Sequence, residues 1–242
     1  MPSTSSGPPT GADVLEELAQ GVYGWFGRPP GRGRANAGLV IDEDGITVID
    51  TLMVPSQSQP FAEAVAALGH PVRRVVLTSG QIEYAGGTGQ FRLASVFGTD
   101  LTSAQLDQPP NVPAYQRFMP AFAAEFADLV TRPVSHVVDA PVMLTPAADL
   151  LVAAGHTPAN LMVHLPAAGI LFAGGMCAFG VTPLAFQGDP AAWAEALDHV
   201  AELAPVIVPG HGPPGGAPEV RALQGYLRAC RAARGNPAAI PA

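Results

Sequence analysis

The stretch Val72–Phe91, VRRVVLTSGQIEYAGGTGQF, is the segment on which the fold turns. Val72–Thr78 is apolar and rich in β-branched residues, which suit the pleated, half-buried surface of a strand. It runs without a turn signal into Ser79–Gly89, a polar loop carrying four glycines. A strand that ends in such a loop delivers chemically active side chains to a sheet edge. Toward the N-terminus, Gln57–Leu68 reads as a helix stopped by Gly69. Leu39–Ile41 and Ile46–Ile49 read as short strands of a hairpin about Asp42–Gly45. Arg28–Arg34 (RPPGRGR) reads as a loop, and Asp13–Gln20 as one or two helical turns with Asp13 as cap. The order is β-β-α-β.

Toward the C-terminus, Val96–Gly98 reads as a short strand. Tyr115, Phe118, Met119, Phe122 and Phe126 share one face at helical spacing, and Pro120 predicts a kink or split in that helix. The stripe packs on the core or, on the sharper reading, covers a pocket through Phe118, Met119 and Phe122. Leu150–Ala153, Leu161–Leu165 and Ile170–Phe172 read as strands. A glycine-rich loop is expected after the last of these, so the uncharged run Leu165–Gln187 is not a membrane span. Asp189 caps a helix over Pro190–Leu203, with proline at its first position. Val206–Val208 is a strand ending in Pro209–Pro213, and Glu219–Ala233 closes the chain as a helix. Strands and helices alternate in two similar halves, which fits two packed sheets with helices on both outer faces.

Composition narrows the function classes. The chain has 242 residues, 48% of them hydrophobic and 13% charged, which is too apolar for disorder over most of its length. One domain over 13–235 is expected, with a disordered N-terminal tail at 1–12 and a short C-terminal tail at 236–242. The net charge is −8. All basic residues are Arg, the mark of a GC-rich, bacterial-type composition. This balance excludes binding to nucleic acid through clustered cations and a polybasic membrane anchor. Cys177 and Cys230 form neither a metal pair nor a disulfide framework, and no signal peptide is legible, so the expected location is cytoplasmic.

Four segments together resemble the metallo-β-lactamase superfamily: NAGLVIDEDGITVIDT (Asn36–Thr51), VVLTSGQIEYAGGTGQF (Val75–Phe91), AGHTPANLMVHLPAAGILFAGG (Ala154–Gly175) and VIVPGHGPP (Val206–Pro214). They occur in the family's order and span Ala35–Ala233. The resemblance implies a four-layer αββα sandwich of mixed α/β class, with a site on the loops at one edge of the sheets. In active members two metal ions, usually zinc, generate there a hydroxide that attacks an ester, thioester, lactam or phosphodiester.

The family's His-x-His-x-Asp-His reads here as Ser79, Gln81, Glu83 and Tyr84. The bridging Asp is Gly175, a candidate for a backbone conformation reserved for glycine. His156 and His211 are kept. Hydroxyl and amide oxygens are poor zinc ligands, so a two-metal site is not expected. No cofactor is expected. The most that these donors could build is one weak zinc site from Glu83, His156 and His211.

Each candidate has a structural alternative. Glu83 is either a solvated loop carboxylate or a buried partner for a His. His156 and His211 either react or satisfy loop backbone. Ser79 lacks the Gly-x-Ser-x-Gly elbow of an activated nucleophile. Tyr84 is an acid, a hydrogen-bond donor or a packing residue. Gln81 and Gly175 are placed with the substrate, while Cys177 reads as a buried, inert thiol. Asp50 supports the loop. His70 and His199 are solvated, and His136 and His164 are structural. Three functions stay open. The first is a hydrolase-like enzyme, or metal-independent cyclase or isomerase, acting on a small ester, thioester, lactone or related substrate through Glu83, His156, His211, Tyr84 and Ser79. The second is a non-catalytic protein that binds a small molecule or partner. The third is a mononuclear metal hydrolase.

Overall fold

Alternation along the apolar strands sorts their side chains to two faces, and that sorting builds the layers. The computed structural model describes residues 14–233. A seven-stranded sheet holds β1 (Leu15–Ala19), β2 (Val22–Trp25), β3 (Ala37–Asp42), β4 (Gly45–Ile49), β5 (Val72–Val76), β6 (Ser95–Gly98) and β7 (His136–Val137), in that spatial order. A five-stranded sheet holds β8 (Val142–Thr145), β9 (Ala148–Ala153), β10 (Asn160–Leu165), β11 (Ile170–Ala178) and β12 (Val206–His211), in the order β12-β11-β10-β9-β8. Val40, Ile49 and Val76 meet Leu161, Val163 and Phe172 between the sheets.

The neighbouring positions point outward. Leu39, Val48 and Val75 pack under α1 (Pro55–Ala67) through Phe61 and Val65. On the other face Met162, Leu171 and Ala173 pack under α5 (Pro190–Leu203) and α6 (Ala217–Ala233) through Trp193, Leu197 and Leu223. The result is the expected αββα sandwich. The helix α2 (Ile82–Ala85) follows β5 through a short loop, α3 (Asp100–Leu106) follows β6, and α4 (Val112–Phe118) opens the long connection to β7.

Several expectations need correcting. Leu15–Ala19 is strand, not helix, because it pairs antiparallel with β2 across a turn at Gly21, whose φ is +72°. Asp13, the expected cap, lies outside the described residues. The strand at Ile170 does not give way to a loop after Phe172. It continues to Ala178, wholly buried, because β10 pairs along its first part and β12 further on. The helix α3 was not foreseen. The aromatic stripe is split as Pro120 predicts, with α4 ending at Phe118 and a 3-10 turn over Pro120–Phe122. Asp189 caps α5 by accepting from the Ala191 N–H at 2.9 Å. No helix among the described residues is long and apolar enough to cross a membrane.

Candidate functional site

The strand ends β4, β5, β11 and β12 converge at one edge of the sandwich. Asp50, just past β4, has φ +58° and is fully buried. Its carboxylate accepts from the Thr78 backbone N–H at 2.8 Å and from the Thr78 hydroxyl at 2.7 Å. Burial pushes its pKa up to about 7, although both Thr78 bonds and the His211 charge pull the other way. This pair locks the end of β5, and α2 then lifts Glu83 and Tyr84 into the site.

Glu83 and His211 form a closed chain of bonds. The His211 Nε2 lies 2.9 Å from Glu83 Oε2, and its Nδ1 lies 3.1 Å from the Arg34 carbonyl oxygen. A carbonyl only accepts, so Nδ1 carries a proton. The other carboxylate oxygen, Oε1, accepts from the Gly33 N–H at 3.0 Å. Burial works to raise the Glu83 pKa. The bond and charge of His211, the Gly33 N–H and His156 outweigh it, and the carboxyl stays below its ordinary value. Nε2 faces the Glu83 carboxylate, so both His211 nitrogens lie against oxygen partners. Glu83 is thus the buried partner of a His, not a solvated loop carboxylate.

His156 is the opposite case. It is buried, edge-on to Tyr84 with ring centroids 6.3 Å apart, and tilted against Trp193 at 5.5 Å. Burial pulls its pKa down to about 4, so the ring is neutral at physiological pH. Its Nδ1 has no hydrogen-bond partner. Asn160 is nearby, but its amide donates to the Ala153 and Thr157 carbonyls at 3.1 and 3.0 Å. The ring rests on Gly175, where a Cβ would stand 2.4 Å from Nδ1. Space is therefore what demands glycine at 175; the left-handed conformation belongs to its neighbour Gly174, with φ +49°. Tyr84 stands between the two imidazoles, 6.0 Å from His211, with its phenol pKa pushed well above the usual range, first by burial and then by the Glu83 and Asp50 charges.

These groups line a cavity of about 450 Å³. Gln81, Glu83, Tyr84, His156, Gly175 and His211 all line it. Ser79 does not line it: its buried Oγ accepts from the Gln81 N–H at 3.3 Å. Met119 and Phe122 pack with Met53 behind Gly33, and Phe118 is an exposed ring 6.1 Å from Phe186. Arg32, Cys177, Thr182, Leu184 and Trp193 also line the cavity. Of these, sequence reasoning missed Arg32, Thr182, Leu184 and Trp193. The one available signal was three arginines in the seven-residue loop RPPGRGR of a chain with only 12 basic residues. Cys177 is inaccessible to solvent, and burial drives its thiol pKa far up, as the inert reading requires.

The donors do not fit a metal centre. Both His211 nitrogens and both Glu83 oxygens are already engaged, and Ser79, Gln81, Tyr84 and Gly175 offer no imidazole or carboxylate. No group of three or more His, Cys, Asp or Glu side chains among the described residues is arranged to hold an ion.

A family model of the metallo-beta-lactamase superfamily matches residues 30–212. The structure is also similar to solved metallo-beta-lactamases. One from Hirschia baltica is 22% identical with a TM-score of 0.68, covering 89% of this chain and 97% of its own. FIM-1 from Pseudomonas aeruginosa, in its mono-zinc form, is 21% identical with a TM-score of 0.70, covering 95% and 97%. One from Erythrobacter litoralis, with beta mercaptoethanol in its active site, is 20% identical with a TM-score of 0.69, covering 88% and 95%. At such identities these structures establish the shared fold alone. With the family match spanning most of the chain, the conclusion is direct: the chain belongs to the metallo-beta-lactamase superfamily.

Proposed function

We propose that this protein takes up a small organic molecule, without a metal ion, in the cavity that replaces the superfamily's metal centre. One observation carries the reading. The side chains at the second metal position, Glu83 and His211, bond to each other and to the backbone of Gly33 and Arg34, yet about 450 Å³ of lined space remains beside them. That volume lies in the range of small-molecule sites. The lining mixes apolar surface from Trp193 and Leu184 with the polar ends of Gln81, Tyr84 and Thr182.

The test is metal content and its effect on stability. Protein purified without chelators should hold clearly less than one zinc per chain. Chelator should leave its melting temperature unchanged, because only a metal bound to the native state raises apparent stability. Two tightly held metals per chain would overturn the reading.

A second reading adds turnover, and the neutral His156 ring in the cavity wall favours it. A neutral imidazole takes a proton from water as that water adds to an ester, thioester or lactone carbonyl, and returns it to the leaving oxygen or sulfur. Hydrolysis of 4-nitrophenyl esters by the wild type and by His156→Asn tests it. Equal rates in the two proteins would remove His156 from any catalysis.

A further inference from the structure

The Glu83–His211 bond has a geometric consequence at the cavity mouth. Gly31–Arg34 is a tight turn closed by the Arg34 N–H on the Gly31 carbonyl at 3.2 Å, with Arg32 and Gly33 at its tip. The descending half of this turn is gripped from three sides. Glu83 accepts from the Gly33 N–H at 3.0 Å, Gln57 donates to the Gly33 carbonyl at 2.7 Å, and His211 donates to the Arg34 carbonyl at 3.1 Å. A turn fastened this way presents the Arg32 side chain to the cavity, which it lines.

Arg32 has no ion-pair partner among the described residues. Arg28 pairs with Glu16, Arg74 with Asp44 and Arg228 with Asp198, while Arg34 donates to the Arg28 carbonyl. Among the other side chains of the cavity wall His156, Tyr84 and Cys177 are neutral, and the Glu83 carboxylate is taken up by His211 and the Gly33 N–H. Arg32 is therefore a cation of the cavity wall with no carboxylate paired to it, in a chain whose net charge is −8.

The geometry points to a small organic monocarboxylate as the ligand, its carboxylate on the Arg32 guanidinium and its apolar body against Trp193 and Leu184. A guanidinium matches a carboxylate as a two-pronged donor, and the only other basic side chains of the wall are His211, engaged with Glu83, and the neutral His156, which leaves no free second cation for a dianion. In this arrangement Glu83 and His211 are positioning residues: they act on the ligand through the turn that carries Arg32. The inference rests on the cavity being the ligand site, and adds to it the class of ligand and the residue that reads it.

The experiment uses the full chain and matched pairs of probes: butyrate with butyramide, and 3-phenylpropionate with 3-phenylpropionamide. Binding is followed by NMR, with the His156 ring and Gly33 amide as reporters of the cavity. Each acid is expected to bind about tenfold more tightly than its amide, the scale of one charge-assisted pair. Arg32→Gln should abolish that difference. Glu83→Gln and His211→Gln should reduce it with Arg32 still present, and should speed amide exchange across residues 31–34; a purely structural role would not move the acid–amide ratio. If either variant fails to fold, the other, together with Arg32→Gln, keeps the test. Acid and amide bound equally well in the cavity would overturn the anion reading and leave the ligand site standing. A preference that survives Arg32→Gln would overturn the role of Arg32. Failure of every probe to perturb the cavity reporters would overturn the proposal together with the reading beneath it.

Discussion

The buried neutral His156 gives the sharpest quantitative prediction. Its folded pKa is about 4 and its unfolded value about 6.5. As pH falls, the unfolded chain takes up this proton near 6.5, whereas the native chain waits until about 4. Between those values the unfolded state binds more protons, so acid favours unfolding and the fold loses stability downward through this window. Once pH is below both values, the gap is worth about 3.4 kcal/mol at 1.36 kcal/mol per pKa unit. At pH 5.0 the loss has reached about 2 kcal/mol, and at pH 7.5 it is about zero.

His156→Asn removes the titration while keeping a polar side chain. Urea unfolding of both proteins at pH 7.5 and 5.0, followed through tryptophan fluorescence, isolates the effect. Every other titrating group is common to both proteins and drops out of the difference. That includes Asp50, whose raised pKa works in the opposite direction. The wild type should lose about 2 kcal/mol more than the variant between these pH values, or about 4–8 °C in melting temperature for a chain of this size. Parallel behaviour of the two proteins would show that the native ring accepts a proton freely, and the argument for a neutral, desolvated imidazole would fail.

Gly175→Ala should cost about 1–3 kcal/mol through overpacking, because the new Cβ meets the His156 ring. In a thermal-melt cycle with His156→Ala the cost should shrink, and a cost independent of residue 156 would refute the collision. Asp50→Asn should keep the Thr78 bonds, since an amide both accepts from N–H and donates to a hydroxyl. Relative to wild type it should gain stability from pH 4 to pH 8, by at most about 4 kcal/mol, because the buried carboxyl of the wild type must ionise near pH 7. A flat difference across that range in urea titrations would refute it. Cys177 should stay unlabelled by iodoacetamide in the native state although its residue lines the cavity; labelling at the rate of an unfolded control would contradict its burial.

What was legible in the sequence follows the range of the forces involved. The strands β3, β4, β5, β10 and β12 and the helices α1, α5 and α6 carry their own alternation, helix stops or caps, so local pattern sufficed. Leu15–Ala19 carries a helical composition and becomes a strand only because β2 offers it a partner, which no local window contains. The extension of β11 past Phe172 likewise depends on β12, thirty residues further along. At the site, the motif order located Glu83, Tyr84, His156 and His211. It did not reveal Arg32, because the hold on its turn comes from Gln57, Glu83 and His211, each far away in the chain. The glycine requirement at 175 was legible but not its cause, which is a ring from another loop.

The departures from the superfamily pattern also depend on one another. Glu83 spans His211 Nε2 and the Gly33 N–H at once and so bridges two loops. Gly175, lacking the bridging carboxylate, leaves the space into which the His156 ring settles. Piecemeal loss of ligands would strand the remaining polar atoms in a buried place, at about 1–3 kcal/mol each. Among the described residues only two buried side-chain polar atoms lack a partner, Trp25 Nε1 and His156 Nδ1. The buried donors and acceptors of the site are therefore matched except at that one nitrogen, while Arg32 at the cavity keeps no ion-pair partner among the described residues. Glu83 and His211 fasten the turn that carries Arg32. A collapsed relic has no reason to keep an open cavity of about 450 Å³ beside a self-bonded Glu83–His211 pair, and that cavity is what the proposed ligand reading explains.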